Sequence, residues 1–441
     1  MKERRNFLRN LSGIASSLFA TQSFAEQKYP SINSYSEPLQ MLKVANTELP
    51  KPIPFKLHVP DQSLKDLKSR LSMTRLPDQA PDQSLSNNWM YGTNLSWLKK
   101  LLSYWSSEFD WRMQEAKLNE FDQFKVNLHG INLHYIHVKG KGPNPIPLLL
   151  SHGWPGSVYE FMKIIPRLTD PVRFGGSAED SFTVIAPSLP GYGLSFEQNQ
   201  PRFSVEQIAA CFKDLMTKVL GYDKFVAQGG DWGSVITTRL GEAYPEHVLA
   251  IHITLLSIRR DHASLLTRPL TVEEQNYSKE LALFVKEETG YQAIQGTRPQ
   301  TLAYALNDSP AGLAAWIAEK FYMWSDCDGD LESIFTLDEL LADISLYWFT
   351  GTIGSSFWPY YARSHGGYQI PANGIKVPMG YAQFPKEIYK PPRSFAEAYF
   401  TNIIRWTEHK KGGHFSAMEQ PEVLSEEIRK TFNFLRTVSK A

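Results

Sequence analysis

Residues 225–234 read FVAQGGDWGS, and this stretch decides the fold. A short apolar run, FVAQ, enters Gly229-Gly230-Asp231-Trp232-Gly233, and a helical pattern follows. Small residues two positions before and after a central side chain are the spacing of a nucleophile elbow. The reason is steric. A strand turning at once into a helix leaves no room for bulk beside the central residue, which is thrust above the sheet. An N-capping aspartate in an ordinary strand-to-helix turn has the same local look, so the flanking chain must arbitrate.

Reading outward, the neighbours have the matching texture. IPLLLSHGWPG (146–156), FTVIAPSLPGYG (182–193) and VLAIHITL (248–255) are continuous apolar runs, two of them closing in glycine or proline. IKVPMGYAQFP (375–385) and NIIRWTEHKKGGH (402–414) follow late in the chain. Continuous apolar strands alternating with helical segments imply an α/β fold, a mostly parallel sheet covered by helices on both faces. Residues 258–365 interrupt the alternation and are helical by pattern, as a cap over the carboxyl edge of the sheet would be. One cap helix is expected to start at Ser309-Pro310, serine as N-cap and proline in the first turn. The core therefore divides into 141–257 and 366–441.

Upstream, residues 51–140 form an N-terminal extension domain. Asp61 is placed to cap a helix carrying Leu64, Leu67 and Leu71. Leu98, Leu101, Leu102, Trp105 and Phe109 line one face of a second helix. FKVNLHGINLHYIHV (124–138) reads as a hairpin turning at His129-Gly130, with Ile131, Leu133 and Tyr135 on one face. Residues 26–50 lack periodicity and read as a linker. Residues 1–25 carry Arg4-Arg5 in R-R-x-F-L, a short apolar stretch and Ser23-Phe24-Ala25 as a small-x-small cleavage signal. Such a segment resembles a twin-arginine export signal, so a periplasmic or secreted bacterial protein is expected.

The 441 residues are 42% hydrophobic and 21% charged, with 46 basic against 46 acidic side chains, which excludes disorder as the main state. Balanced charge argues against a nucleic-acid partner. No run of 18 apolar residues exists, so no stable membrane anchor is expected once the signal is cleaved. Cys211 and Cys327 are too few for a disulfide framework or a cysteine-rich metal site, and no zinc-ligand spacing is present. No cofactor or metal is implied. Asp326, Asp328 and Asp330 lack the glycine placement of a calcium loop and read as a solvated turn.

Aspartate rather than serine at position 231 decides the chemistry. Serine needs a base before it attacks, whereas a carboxylate of ordinary pKa about 3.9 is already ionised at neutral pH. A carboxylate attacks esters and amides poorly, but it displaces a leaving group at saturated carbon and forms an alkyl ester. Water must then attack that ester, which calls for a base and an oxyanion hole. His414, freed by Gly412-Gly413 after the last strand, is the candidate base, with His409 as a rival inside the presumed strand. Glu387, in Pro385-Lys386-Glu387, is the candidate orienting acid, with Asp261 as a rival. Nucleophile, acid and histidine in this chain order match the triad of the α/β-hydrolase fold. The backbone N–H groups of Trp154, in His152-Gly153-Trp154-Pro155, and of Trp232 are placed to form the oxyanion hole.

With these residues in view, the chain resembles the microsomal-type epoxide hydrolases from about residue 51 to 436. HGWPGS (152–157), PGYGLS (190–195), GGDWGS (229–234), ALNDSPAGLAAWI (305–317), YWFTGTIGSS (347–356) and GGHFSAMEQPE (412–422) carry the resemblance, in order. FDWRMQEAKLNEFDQF (109–124) is similar to that family's N-terminal domain. The resemblance implies conversion of a small apolar epoxide and water to a vicinal diol. It implies Asp231 as nucleophile, His414 as base and Glu387 as its partner, the last on the pattern Phe384-Pro385-x-Glu387. It further implies two cap tyrosines as proton donors to the epoxide oxygen: Tyr291, in Thr289-Gly290-Tyr291-Gln292, and Tyr360, with Tyr361 adjacent. A phenol of ordinary pKa about 10 stays protonated at neutral pH and suits the task.

Two other readings stay open at this point. A haloalkane dehalogenase shares the aspartate nucleophile, and the indoles of Trp154 and Trp232 would bind the departing halide. A non-catalytic binding protein on a hydrolase fold is the third.

Overall fold

The computed structural model describes residues 50–81, 89–257, 268–366 and 374–438. The expected signal at 1–25, nearly all of the expected linker and the rival Asp261 lie outside them. The described residues fall within one compact unit.

In chain order the elements are β1 (Ile53–Phe55), α1 (Asp61–Ser72), α2 (Leu95–Ser107), α3 (Trp111–Leu118), β2 (Gln123–Leu128), β3 (Ile131–Val138) and β4 (Ile146–Ser151). Next come α4 (Ile164–Thr169), β5 (Phe182–Pro187), α5 (Val205–Asp214), β6 (Phe225–Gly229), α6 (Asp231–Ala243) and β7 (Val248–Ile253). The cap follows, as α7 (Val272–Glu288), α8 (Gly290–Thr297), α9 (Pro299–Asp308), α10 (Pro310–Trp324), α11 (Leu337–Thr350) and α12 (Trp358–Gly366). β8 (Met379–Gln383), β9 (Ile403–Glu408) and α13 (Pro421–Phe432) complete the core.

The strands form one nine-stranded sheet in the order β1-β2-β3-β5-β4-β6-β7-β8-β9. β1, β2, β3 and β5 pair antiparallel, and the remaining neighbours pair parallel. Every residue of β5 and of β6 is buried, as expected of strands covered on both faces. α5 and α6 pack together on one side of the sheet, and α4 packs with α13 on the other.

Local chemistry explains the turns and ends. β2 and β3 join through His129 (φ 56°) and Gly130 (φ 79°), with Leu128 paired to Ile131. Two central residues at positive φ make the turn whose twist suits a two-residue hairpin. Ser309 accepts a hydrogen bond from the Gly312 N–H at 3.0 Å, and Pro310 opens α10.

Three readings need correction. Asp61 does not cap α1; Pro60 occupies that position, and the Asp61 carboxylate pairs with Arg112 instead. α2 ends at Ser107, which leaves Phe109 beyond its face. β9 ends at Glu408, so His409 follows the strand rather than lying inside it.

Residues 51–140 extend the common sheet with three strands and brace the cap with two helices. Arg70 on α1 pairs with Asp308 at 2.7 Å. Tyr104 on α2 donates to Asp338 at 2.9 Å, and Trp89 stacks on Tyr322 at 4.2 Å.

Candidate active site

The site sits at the carboxyl ends of β4, β6 and β8, beneath the cap. Asp231 leads α6 with φ 48°, in the left-handed region that non-glycine residues seldom occupy. Strain of this kind persists where the surroundings over-determine the backbone. Here they do. A Cβ on Gly233 would lie 1.8 Å from the Ser151 carbonyl oxygen, and one on Gly153 would lie 2.1 Å from Asp231 Oδ1. Helix α6 therefore presses against the end of β4, and the oxyanion loop presses against the carboxylate.

The two oxygens of Asp231 have different neighbours. Oδ1 accepts a hydrogen bond from the Trp154 N–H at 2.7 Å. Oδ2 lies 3.3 Å from His414 Nε2. The Trp232 amide makes no hydrogen bond to that carboxylate among the described residues, so only the Trp154 half of the expected pair engages Asp231. His414 Nδ1 lies 2.6 Å from Glu387 Oε1, which also accepts from the Ile388 N–H at 2.7 Å. Asp231, His414 and Glu387 thus form one line of contacts, with His414 buried.

Burial opposes charge on His414. The Glu387 carboxylate, with the hydrogen bonds that the imidazole donates to Asp231 and Glu387, outweighs it and holds the imidazole well above the usual histidine range. His409, the rival, stacks on Phe384 and faces Glu427 at 3.6 Å.

The loop that carries His414 is tied to the end of α10. The His414 N–H donates to the Trp324 carbonyl at 2.8 Å, and the Gly412 N–H donates to Asp326 Oδ2 at 2.8 Å. Asp326 also donates its own N–H to Glu419 at 2.9 Å. It is therefore not part of a merely solvated turn. Sequence inspection passed over it because the three aspartates carry no metal-loop spacing, and their link to residue 412 exists only in three dimensions.

The cap supplies an aromatic roof. Tyr291 on α8 stacks on Trp154 at 5.4 Å and meets Tyr360 on α12 edge-on at 5.8 Å. Trp324 stands edge-on to the His414 ring at 5.0 Å. Burial pushes the Tyr360 phenol well above its usual range, with Tyr291 and Asp231 adding to the rise. The Trp232 and Tyr360 rings meet edge-on at 4.9 Å. Tyr361 points elsewhere, stacked on Trp358 and His365. Beside Trp324 and Glu387 opens a cavity of about 310 Å³, walled by Leu281, Phe284 and Ile388.

One further group is not evident in the sequence. Glu160, on the turn Val158–Phe161, extends its carboxyl into the space a Gly156 Cβ would fill. Burial raises it well above the usual carboxylate range, and Asp343 adds to the rise. A lone glutamate two residues after Val158 carries no motif, and only the glycine beside it hints at a close approach.

Comparison with known proteins places the chain in a family. Residues 52–161 match the family model described as epoxide hydrolase N terminus, and residues 146–279 match that for the alpha/beta hydrolase fold. Epoxide hydrolase 1 of Sus scrofa is 40% identical over 409 residues, covering 87% of this chain and 88% of the relative. The chain belongs to the epoxide hydrolase family. Juvenile hormone epoxide hydrolase 2 of Ctenocephalides felis is a further epoxide hydrolase relative, 38% identical over 85% of this chain and 84% of its own. The crystal structure of the juvenile hormone epoxide hydrolase of the silkworm Bombyx mori superposes with a TM-score of 0.78 at 32% identity, covering 88% of this chain and 96% of that one. The epoxide hydrolase N-terminal match ends at Phe161, so it takes in the HGWPGS loop beside Asp231 as well as the helices that brace the cap.

Proposed function

We propose that this epoxide hydrolase opens small apolar epoxides to vicinal diols through a covalent ester on Asp231. The observation that carries the reading is the division of labour at that carboxylate. Oδ1 is held by the Trp154 N–H, and Oδ2 faces His414. Oδ2 attacks an epoxide carbon, the ring C–O bond breaks, and the oxygen leaves as an alkoxide still joined to the substrate. Tyr291 and Tyr360 supply the proton it needs; the Tyr360 phenol, raised by burial, is fully protonated at neutral pH.

Alkylation removes the negative charge of Asp231, one of the two anions that hold the proton on His414. The imidazole then becomes free to act as a base while Glu387 keeps it oriented. His414 takes a proton from water, the hydroxide attacks Cγ of the ester, and the Trp154 N–H stabilises the oxyanion on Oδ1. Collapse breaks the Cγ–Oδ2 bond, the leaving alkoxide takes its proton from His414 to complete the diol, and the proton of the new carboxyl restores the tyrosine, leaving Asp231 ionised again.

The test is intact and peptide mass spectrometry of His414→Gln after separate exposure to styrene oxide and a chloroalkane. The expected adduct lies on the Asp231 peptide and has the whole mass of the epoxide. An adduct only from the chloroalkane, with chloride lost, would replace this reading with dehalogenation. Changing both Tyr291 and Tyr360 to Phe is expected to slow adduct formation by at least about 100-fold, the scale of general acid catalysis.

A further inference from the structure

Gln292 lies between the two halves of the catalytic machinery. Its Nε2 donates to the Tyr291 hydroxyl at 2.8 Å and to the Tyr389 hydroxyl at 3.2 Å. Tyr291 belongs to cap helix α8. Tyr389 follows Glu387 by two residues on the loop after β8, is buried, and is wedged edge-on against Phe284 of α7 at 5.4 Å. One side-chain amide therefore ties the cap's proton donor to the loop that holds the triad acid.

We propose that Gln292, anchored by Tyr389, is a positioning residue that aims the Tyr291 O–H at the epoxide oxygen and helps that phenol give up its proton. A hydroxyl has one proton and two lone pairs. An amide N–H on one lone pair forces the hydroxyl proton to point away from Gln292. The same N–H bond strengthens as negative charge grows on the phenol oxygen, so it favours the transition state over the ground state. A hydrogen bond of this kind contributes on the order of tenfold in rate. This inference rests on Tyr291 acting as a proton donor.

Charged and titratable groups surround the pair, among them Glu280, Lys386 and Lys390, which line the cavity beside Phe284 and Glu387. Lys320 of α10 sits over the Tyr291 ring at 4.6 Å. Glu288 closes α7, Tyr360 faces Tyr291 from α12, and Glu387 lies on the loop with Tyr389.

The experiment separates the half-reactions by stopped-flow single turnover with styrene oxide. Gln292→Leu keeps the volume and removes both N–H bonds. It is expected to slow ester formation about tenfold and to leave ester hydrolysis unchanged. In a Tyr291→Phe background the same substitution should change nothing further. Gln292→Glu replaces the donor by an acceptor, which draws the Tyr291 proton toward itself. Its ester formation should be slower still at pH 8 and recover as the pH falls and the new carboxyl regains a proton. Equal slowing of both half-reactions, or an undiminished effect of Gln292→Leu in the Tyr291→Phe background, would overturn the proposal. If Tyr291→Phe alone leaves ester formation intact, the proton-donor reading of Tyr291 fails first.

Discussion

At the scale of the residue, the site is made by what is missing. Gly233 faces the Ser151 carbonyl so closely that an added Cβ would lie at 1.8 Å, and the obstacle is backbone rather than a movable side chain. Gly233→Ala is therefore expected to push α6 off β4. The cost should be about 3 kcal/mol or more, the upper end for forced overpacking, with loss of turnover in whatever fraction stays folded. Chemical denaturation and steady-state diol formation measure the two effects; a variant of unchanged stability would mean that the elbow relaxes more easily than its geometry indicates. Asp231 and its glycines are legible in the sequence because steric rules fix their spacing. Gln292 is not legible, because nothing local shows that its amide reaches a phenol 97 residues away.

At the scale of the element, the cap helices carry charges whose behaviour follows from burial. Asp343 on α11 is 1% exposed, and neither of its oxygens has a well-formed hydrogen bond among the described residues. Burial pushes its carboxyl up to about 7, and the nearby Ser157 hydroxyl only partly opposes this. In the unfolded chain the same group titrates near 3.9. Below that pH both states hold the proton, and Asp343 does not tilt the balance. As pH rises from about 4 to about 7, the unfolded chain releases a proton that the folded chain keeps, so stability falls across that window. Asp343→Asn removes this dependence. It is expected to stabilise the protein at pH 8, relative to its effect at pH 4, by on the order of 2–4 kcal/mol. Thermal and urea unfolding of both proteins at the two pH values measures it, and an equal effect at both would show that Asp343 stays ionised in the fold. The helix α11 is itself readable from periodicity and its Thr336 capping box. The position of Asp343 beside Glu160 is not, since it depends on how the cap settles against the loop after β4.

At the scale of the whole molecule, the parallel core is legible because apolar runs and glycine turns are local signals. The antiparallel strands β1 to β3 are less so, because their place at the edge of the common sheet is set by the pairing of β3 with β5. The same limit hides how α1 and α2 brace the cap, through pairs such as Arg70 with Asp308. The Arg4-Arg5 segment resembles the address for the twin-arginine pathway, which carries proteins already folded. We propose that the chain is exported by that route and cleaved after Ala25. Cleavage would leave 42 basic and 45 acidic residues, a net charge of −3. Cys211 and Cys327 are both buried and unpaired, so no disulfide contributes to stability. Replacing Arg4 and Arg5 by Lys is expected to move epoxide hydrolase activity from the periplasmic to the cytoplasmic fraction, with the precursor mass retained. The purified exported protein should melt at the same temperature with and without a reductant. Activity that stays periplasmic in the Lys-Lys variant would mean a different export route, and a melting point that falls on reduction would mean a cross-link that this fold does not contain.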